Sequence, residues 1–154
     1  MSYSRYWNFS PEPIPINIWE QIQKDFKIIV FELKVKDINI SGPNGTGKPI
    51  IDSCETTFNG KTPEENESFT FVRNPNEYLF EFSTVNYEGK TYLFNFCKTA
   101  KKGYDLAVAC YLLIAKNYLE EKLIISSDGN ENDWLEATKM IQKYLGYSPN
   151  LVTK

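Results

Sequence analysis

The sequence predicts an α+β fold: a mixed, largely antiparallel sheet with a C-terminal βαβ unit and about three helices packed on it. Three observations carry this expectation. Residues 78–97 read as two aromatic-rich extended runs joined by a turn, Tyr104–Leu119 is apolar nearly all the way round, and a short apolar strand, Leu123–Ile125, follows it. The chain has 154 residues, 42% of them hydrophobic, which suffices to bury a core. One domain over residues 1–154 is expected, with residues 147–154 as a short flexible tail.

In chain order, Tyr3, Arg5, Trp7 and Phe9 alternate onto one side of a first strand. Pro11, Pro13 and Pro15 then mark a connector. Asn17 with Glu20 reads as a capping box, and Ile18, Ile22, Phe26, Ile29 and Leu33 keep helical spacing over Ile18–Lys34. Ile29, Phe31, Leu33 and Val35 also alternate as a strand does, so this end reads both ways. Ile38 and Ile40 form a short strand before the loop Ser41–Pro49. Ile50–Phe58 reads as one extended run closed by Asn59-Gly60, followed by a polar loop and a strand over Ser68–Arg73.

Asn86 and Gly89 predict a three-residue bulged hairpin that sets Phe82 against Phe94 and Phe80 against Phe96. After the buried helix and short strand, Asn130 or Asn132 caps a last helix. Trp134, Ala137, Thr138, Ile141 and Leu145 line its inner face, and Gly146 stands where it ends. Strand 91–97, helix 104–119 and strand 123–127 make the βαβ unit, with parallel strands and a right-handed crossover.

Composition excludes several chemistries. With no histidine in the chain, a Ser-His-Asp triad, a Cys-His pair and a histidine-ligated zinc are impossible within it. A net charge of -3, spread evenly, argues against a nucleic-acid footprint. Cys54, Cys97 and Cys110 are odd in number and widely spaced, which fits a reducing compartment better than a disulfide framework. The opening MSYSRYWNF has neither a basic leader nor an apolar run, as expected without a signal peptide. Leu106–Ala115, the longest apolar stretch, is about half of the ~20 residues a bilayer requires. A cytoplasmic protein with no membrane partner is the expectation.

Four stretches could carry chemistry. Gly42–Lys48 satisfies GxxxxGK, but Pro49 replaces the magnesium-binding hydroxyl and a strand follows instead of a helix, so a glycine-rich turn between strands is expected. Asn95–Asp105 runs from a strand end into a helix start with Lys98, Thr99, Lys101 and Lys102 between them, a candidate anion site whose field would favour a Cys97 thiolate. Otherwise Cys97 is a small buried strand residue, the lysines are solvated and Asp105 is a helix cap. Ser126–Asp133 is rich in oxygen ligands but departs from the calcium-loop pattern at its sixth and twelfth positions, so turn and cap duties account for it. Tyr78, Phe80 and Phe82 opposite Tyr92, Phe94 and Phe96 could stack single-stranded bases, although core packing explains them better. Parallel strands leave a sheet on the same edge, which brings Lys98 and Thr99 near Ser126, Ser127 and Asp128, within about 5–10 Å if the strands are neighbours.

The runs NFCKTAKKGYDLAVACYLLIAKNYL, IISSDGNENDW and KYLGY, with RYWNFSP, GTG at Gly45–Gly47 and FNG at Phe58–Gly60, resemble a family of small single-domain bacterial proteins of uncharacterised function. The resemblance covers nearly the whole chain and implies a single domain. It brings no catalytic residues. Its glycine-loop element is the GTG alone and leaves out Lys48. Members often carry histidines after the long helix, where this chain has Asn117 and Tyr118.

The favoured expectation is a non-enzymatic binding or accessory protein that recognises a partner protein or small anionic ligand at the Lys98/Asp128 edge, with no cofactor and no metal. The alternative is a small enzyme acting on a phosphorylated or carboxylated ligand. Lys98 and Lys101 would then clamp the anion and Asp128 would act as general base.

Overall fold

Alternation in the first strand fixes the middle of the fold. In the computed structural model, which describes residues 2–149 except the side chains of residues 79–81, β1 (Ser4–Phe9) buries Arg5, Trp7 and Phe9 on one face. Both of its edges are paired. β7 (Lys90–Lys98) lies antiparallel on one side and β8 (Leu123–Ser127) antiparallel on the other, and β6 (Ser83–Tyr87) completes a four-stranded sheet in the order β6–β7–β1–β8. β7 and β8 are therefore parallel to each other, as expected, but β1 stands between them. The insertion gives each strand an antiparallel partner, the slightly more stable pairing.

A second sheet is built on β4 (Glu55–Gly60). β2 (Ile40–Ser41), β3 (Ile50–Ile51) and β5 (Phe69–Val72) all pair with it antiparallel. The expected single run over 50–58 is instead two strands. The Asp52 carboxylate accepts from the backbone N–H groups of Cys54 and Glu55 and so turns the chain between them. Asn59-Gly60 is likewise no terminal turn: it pairs with β2, while the Asn59 side chain holds the backbone of Asn66.

The helices pack where the apolar faces direct them. α1 (Ile16–Val35) buries Trp19, Ile22, Phe26, Ile29 and Leu33, which settles the ambiguous segment as helix. Its start differs from the expected capping box. Asn17 is already inside the helix, and Pro15 takes the boundary, its carbonyl accepting from Trp19 N–H at 2.9 Å. Phe31 and Val35, whose alternation mimicked a strand, are 63% and 69% exposed. α2 (Asp105–Leu119) is buried on nearly every side, against α1, α3 (Leu135–Leu145) and β8. Just beyond its end the buried Lys116 ammonium donates to the carbonyls of Glu120 at 2.8 Å and of Leu123, the first residue of β8. Burial pulls the Lys116 pKa down from its ordinary value. Aromatic rings join the layers: Trp7 meets Phe69, and Tyr111 of α2 meets Phe26, Phe69 and Phe71. No helix among the described residues is long and apolar enough to cross a membrane.

Further expectations need correction at the hairpin and the tail. The hairpin turns on two residues, Glu88 and Gly89, both at positive φ (49° and 80°), the twist-matched form of a tight hairpin turn. Its register is one residue off the expected pairing, with Ser83 opposite Phe94, and a one-residue slip exchanges faces. Residues Pro75–Glu81 form 3₁₀ turns, not strand, and Phe82 packs edge-on against Phe9. The expected tail is partly anchored: Tyr147 donates to the buried Asp25 at 2.8 Å, beside Tyr118, which donates to it at 2.6 Å. Residues 150–154 of that tail lie outside the described residues.

Candidate functional site

Strand directions decide where the two suspect turns end up. β7 and β8 both leave the first sheet beside the start of β1. Ser4 faces Lys98 on one side, and on the other its carbonyl accepts from Asp128 N–H. The cationic and oxygen-rich turns thus share one rim, two strand spacings apart, about 10 Å.

Alternation then divides that rim into two faces. Lys98, Ser126 and Asp128 fall on the outer face with Tyr6. There the Asp128 carboxylate takes two donors. One oxygen accepts from Tyr6 Oη–H at 2.6 Å and the other from Ser4 N–H at 2.8 Å, and the first contact raises the Tyr6 pKa. Tyr6 also stacks with Phe94 and lies tilted against Phe96, so those two rings flank the outer face and Phe96 is 39% exposed. The expectation that they pack in the core is corrected. The face has Asp128 at its edge and exposed Lys98 beyond it.

The inner face is a buried polar network. Arg5, only 2% exposed, donates Nε–H and Nη2–H to the two Asp105 oxygens at 2.9 and 2.8 Å, a bidentate pair at the first residue of α2. Thr99, fully buried, donates to Asp105 Oδ1 at 2.6 Å. Arg5 Nη2 reaches the Asp133 carbonyl at 3.1 Å, and the guanidinium lies 4.5 Å from the Trp134 ring centroid. Nη1 has no hydrogen-bond partner among the described residues.

A second layer lies above it. Tyr3 Oη–H donates to Asp133 Oδ2 at 2.7 Å, and Lys101 Nζ stands 3.4 Å from the same oxygen and 4.5 Å from the Tyr3 ring centroid. The Tyr3 hydrogen bond, aided by the Lys101 and Arg5 charges, holds the Asp133 carboxyl below its ordinary value. Burial, reinforced by that carboxylate, pushes Tyr3 up to about 12.

The turn itself is strained. Ala100 and Lys101 both sit at positive φ, 53° and 58°, a conformation costing on the order of 1–3 kcal/mol per non-glycine residue. It is held by Tyr3, whose carbonyl accepts from Thr99 and Ala100 N–H, and by Thr99, whose carbonyl and hydroxyl take Lys102 and Lys101 N–H. Strain maintained by so many contacts concentrates at sites that must present a fixed geometry. Arg5, Lys101, Lys102, Asp105 and Asp133, with Ile38, Leu106 and Glu136, line a solvent-open pocket of about 350 Å³.

The remaining candidates settle differently. Cys97 is fully buried, and its thiol contacts the Glu67 carbonyl at 3.3 Å. Burial pushes that thiol up to about 12, so the expected thiolate-favouring field is overridden by desolvation. The GxxxxGK stretch is a glycine turn between β2 and β3, closed by Gly42 N–H on the Gly47 carbonyl, and no helix follows Lys48. Asn130 caps a short 3₁₀ turn, Glu131–Trp134, through Asn132 N–H, so this part of the oxygen-rich loop serves as a cap. Ser127 Oγ accepts from Gly129 N–H. Among the described residues no three His, Cys, Asp or Glu side chains gather closely enough to hold a metal ion.

The structure thus brings Thr99, Lys101 and Lys102 together around Arg5, and it sets Lys98, Ser126 and Asp128 on the opposite face. Sequence reasoning missed Arg5, Tyr3 and Asp133 as members of the site. One signal was present: Arg5 occupies an inward register in a strand of large aromatic residues, where a charge survives only if it is paired. Comparison with known protein families, with curated proteins and with solved structures finds no match to this chain.

Proposed function

We propose that this chain is a non-enzymatic binding protein whose ligand, a small molecule bearing an anionic group, enters the pocket above Arg5. The observation that carries the reading is the unpartnered Arg5 Nη1. A guanidinium has five N–H donors, three of these are spent on Asp105 and Asp133, and the two on Nη1 lie buried with no acceptor. Burying donors without an acceptor costs on the order of 1–3 kcal/mol, which a carboxylate or phosphate oxygen would offset. The positive end of α2 and the Lys102 ammonium add field of the same sign.

The enzymatic alternative has less support. It requires Lys98, Lys101 and Asp128 around one ligand, but Lys101 belongs to the inner face, while Lys98 and Asp128 lie on the outer one. Isothermal titration with inorganic phosphate and with acetate tests the reading. Binding weakened about tenfold by Lys102→Ala and unchanged by Lys98→Ala supports it. Loss of binding in Lys98→Ala alone, or no binding of either anion, refutes it.

A further inference from the structure

The two most exposed large apolar side chains among the described residues, Val35 at 69% and Phe31 at 63%, stand together on α1, with Ile28 at 38% one turn before them. The steps from 28 to 31 to 35 are the three-then-four spacing of a helix seam. At about 100° per residue this seam lies roughly 160° round α1 from the buried stripe Ile22, Phe26, Ile29 and Leu33. It therefore faces away from the rest of the fold, and a second helix can lie along it. Single apolar residues on a surface need no explanation, but an exposed row along one helix marks an interaction surface. Lys24, the preceding seam position, limits the apolar row to the last two turns.

The charges beside the seam select the partner. Lys27 and Glu32 flank it, about 70° to either side, and neither forms an ion pair among the described residues. A two-fold axis running along the helices sets the Lys27 side of one copy against the Glu32 side of the other. Their separation of five positions is that of the interhelical ion pair in a parallel coiled coil, and the contact forms twice. An antiparallel pair burying the same side chains would set Ile28 against Val35, and hence Lys27 against Lys34, like charge on like. Ile28 and Val35, both β-branched and seven residues apart, also favour two strands over three. We infer that a second copy of this chain covers this face. The last two turns of α1 pair in parallel, with Phe31 inside the seam and Lys27 of each copy paired to Glu32 of the other. The face offers roughly 300–400 Å² per copy, short of the ~800 Å² per partner of a standard interface, so the dimer is reversible.

Sedimentation equilibrium of the full chain from ~1 μM to ~1 mM tests this. The weight-average mass is expected to rise from that of one chain toward that of two, with a midpoint on the order of 100 μM. Phe31→Gln replaces a side chain that the core does not use, so the fold stays in place, as thermal unfolding will show, and this variant is expected to remain a single chain throughout. Lys27→Glu leaves every apolar residue untouched and is expected to weaken association about tenfold, while Lys27→Glu combined with Glu32→Lys restores it. A single chain at every concentration overturns the inference and leaves the face to a different partner. A dimer that persists in Phe31→Gln places the interface elsewhere. Association unchanged or tightened by Lys27→Glu, the latter being the mark of an antiparallel pair, also overturns it, as does a double variant no better than Lys27→Glu alone.

Discussion

Replacing Asp105 by alanine removes the acceptor for three buried donors at once: Arg5 Nε at 2.9 Å, Arg5 Nη2 at 2.8 Å and Thr99 Oγ1 at 2.6 Å. The side chains of the ion pair are 3% and 10% exposed, so water cannot take the place of the lost carboxylate without reorganisation. Leaving one partner of a buried pair uncompensated costs ~3–5 kcal/mol. The orphaned Thr99 hydroxyl adds ~1 kcal/mol. A domain of this size has roughly 5–15 kcal/mol of stability, so the variant still folds but sits near its limit. With a urea dependence of ~2 kcal/mol per molar, the unfolding midpoint falls by about 2–3 M. Replacing both partners by apolar residues, Arg5→Met with Asp105→Leu, removes the stranded charge and is expected to cost less than Asp105→Ala alone. Urea unfolding followed by tryptophan fluorescence reads both. A loss below ~1 kcal/mol in the single variant, or a double variant as damaged as the sum of the singles, refutes the view that this pair anchors the site.

Other outcomes follow from the same geometry. Asp133 has a lowered folded-state pKa, so its share of stability is fully present above the unfolded carboxylate value near 4 and is lost as the pH falls through the folded value. Asp133→Asn is therefore expected to differ from wild type by a constant amount at neutral pH, with the gap closing below about pH 4 in acid unfolding curves; a gap that widens in acid contradicts it. Gly45 has φ +89°, and a Cβ there would stand 2.6 Å from Thr62 Oγ1, whereas Gly89 has φ +80° and open space around it. Gly45→Ala should thus cost more than Gly89→Ala, about 2–3 kcal/mol against about 1, and equal thermal shifts would contradict this. Cys54 is the exposed cysteine while Cys97 and Cys110 are buried. A thiol reagent should accordingly modify one site in the native protein and three after denaturation; rapid native modification of Cys97 would show that its strand is not packed as described.

Much of the fold was legible because its elements are amphipathic with the right period. The inward set Tyr3, Arg5, Trp7 and Phe9, the helical set from Ile22 to Leu33 and the uniformly apolar α2 all sit where periodicity places them. What periodicity could not supply was adjacency. Nothing local says that β1 inserts between β7 and β8, because that choice is made by long-range pairing. The hairpin register was lost for a different reason: both a two-residue and a three-residue loop suit the segment around Glu88-Gly89, and they differ by one position, which reverses the faces. The strand-like alternation at Phe31 and Val35 misled because apolar residues also occur on exposed helix faces.

The candidate site was half legible. The shared rim followed from strand direction alone, and Thr99, Lys101 and Lys102 were on it. Which face each residue takes depends on alternation carried through the strand ends, and that assigns Lys98 and Asp128 away from Arg5. The strained turn at Ala100 and Lys101 had no signature in residue type, since neither is a residue that favours positive φ.

The central claim is that the buried Arg5 guanidinium keeps two donors for a ligand. Nitrogen-detected NMR of the Arg5 side chain during titration with acetate addresses it directly. Movement of the Nη1 resonance, with Nε held steady by Asp105, is the result this account predicts. A silent Arg5 accompanied by changes at Lys98, Tyr6 and Asp128 would put the ligand on the other face and contradict it.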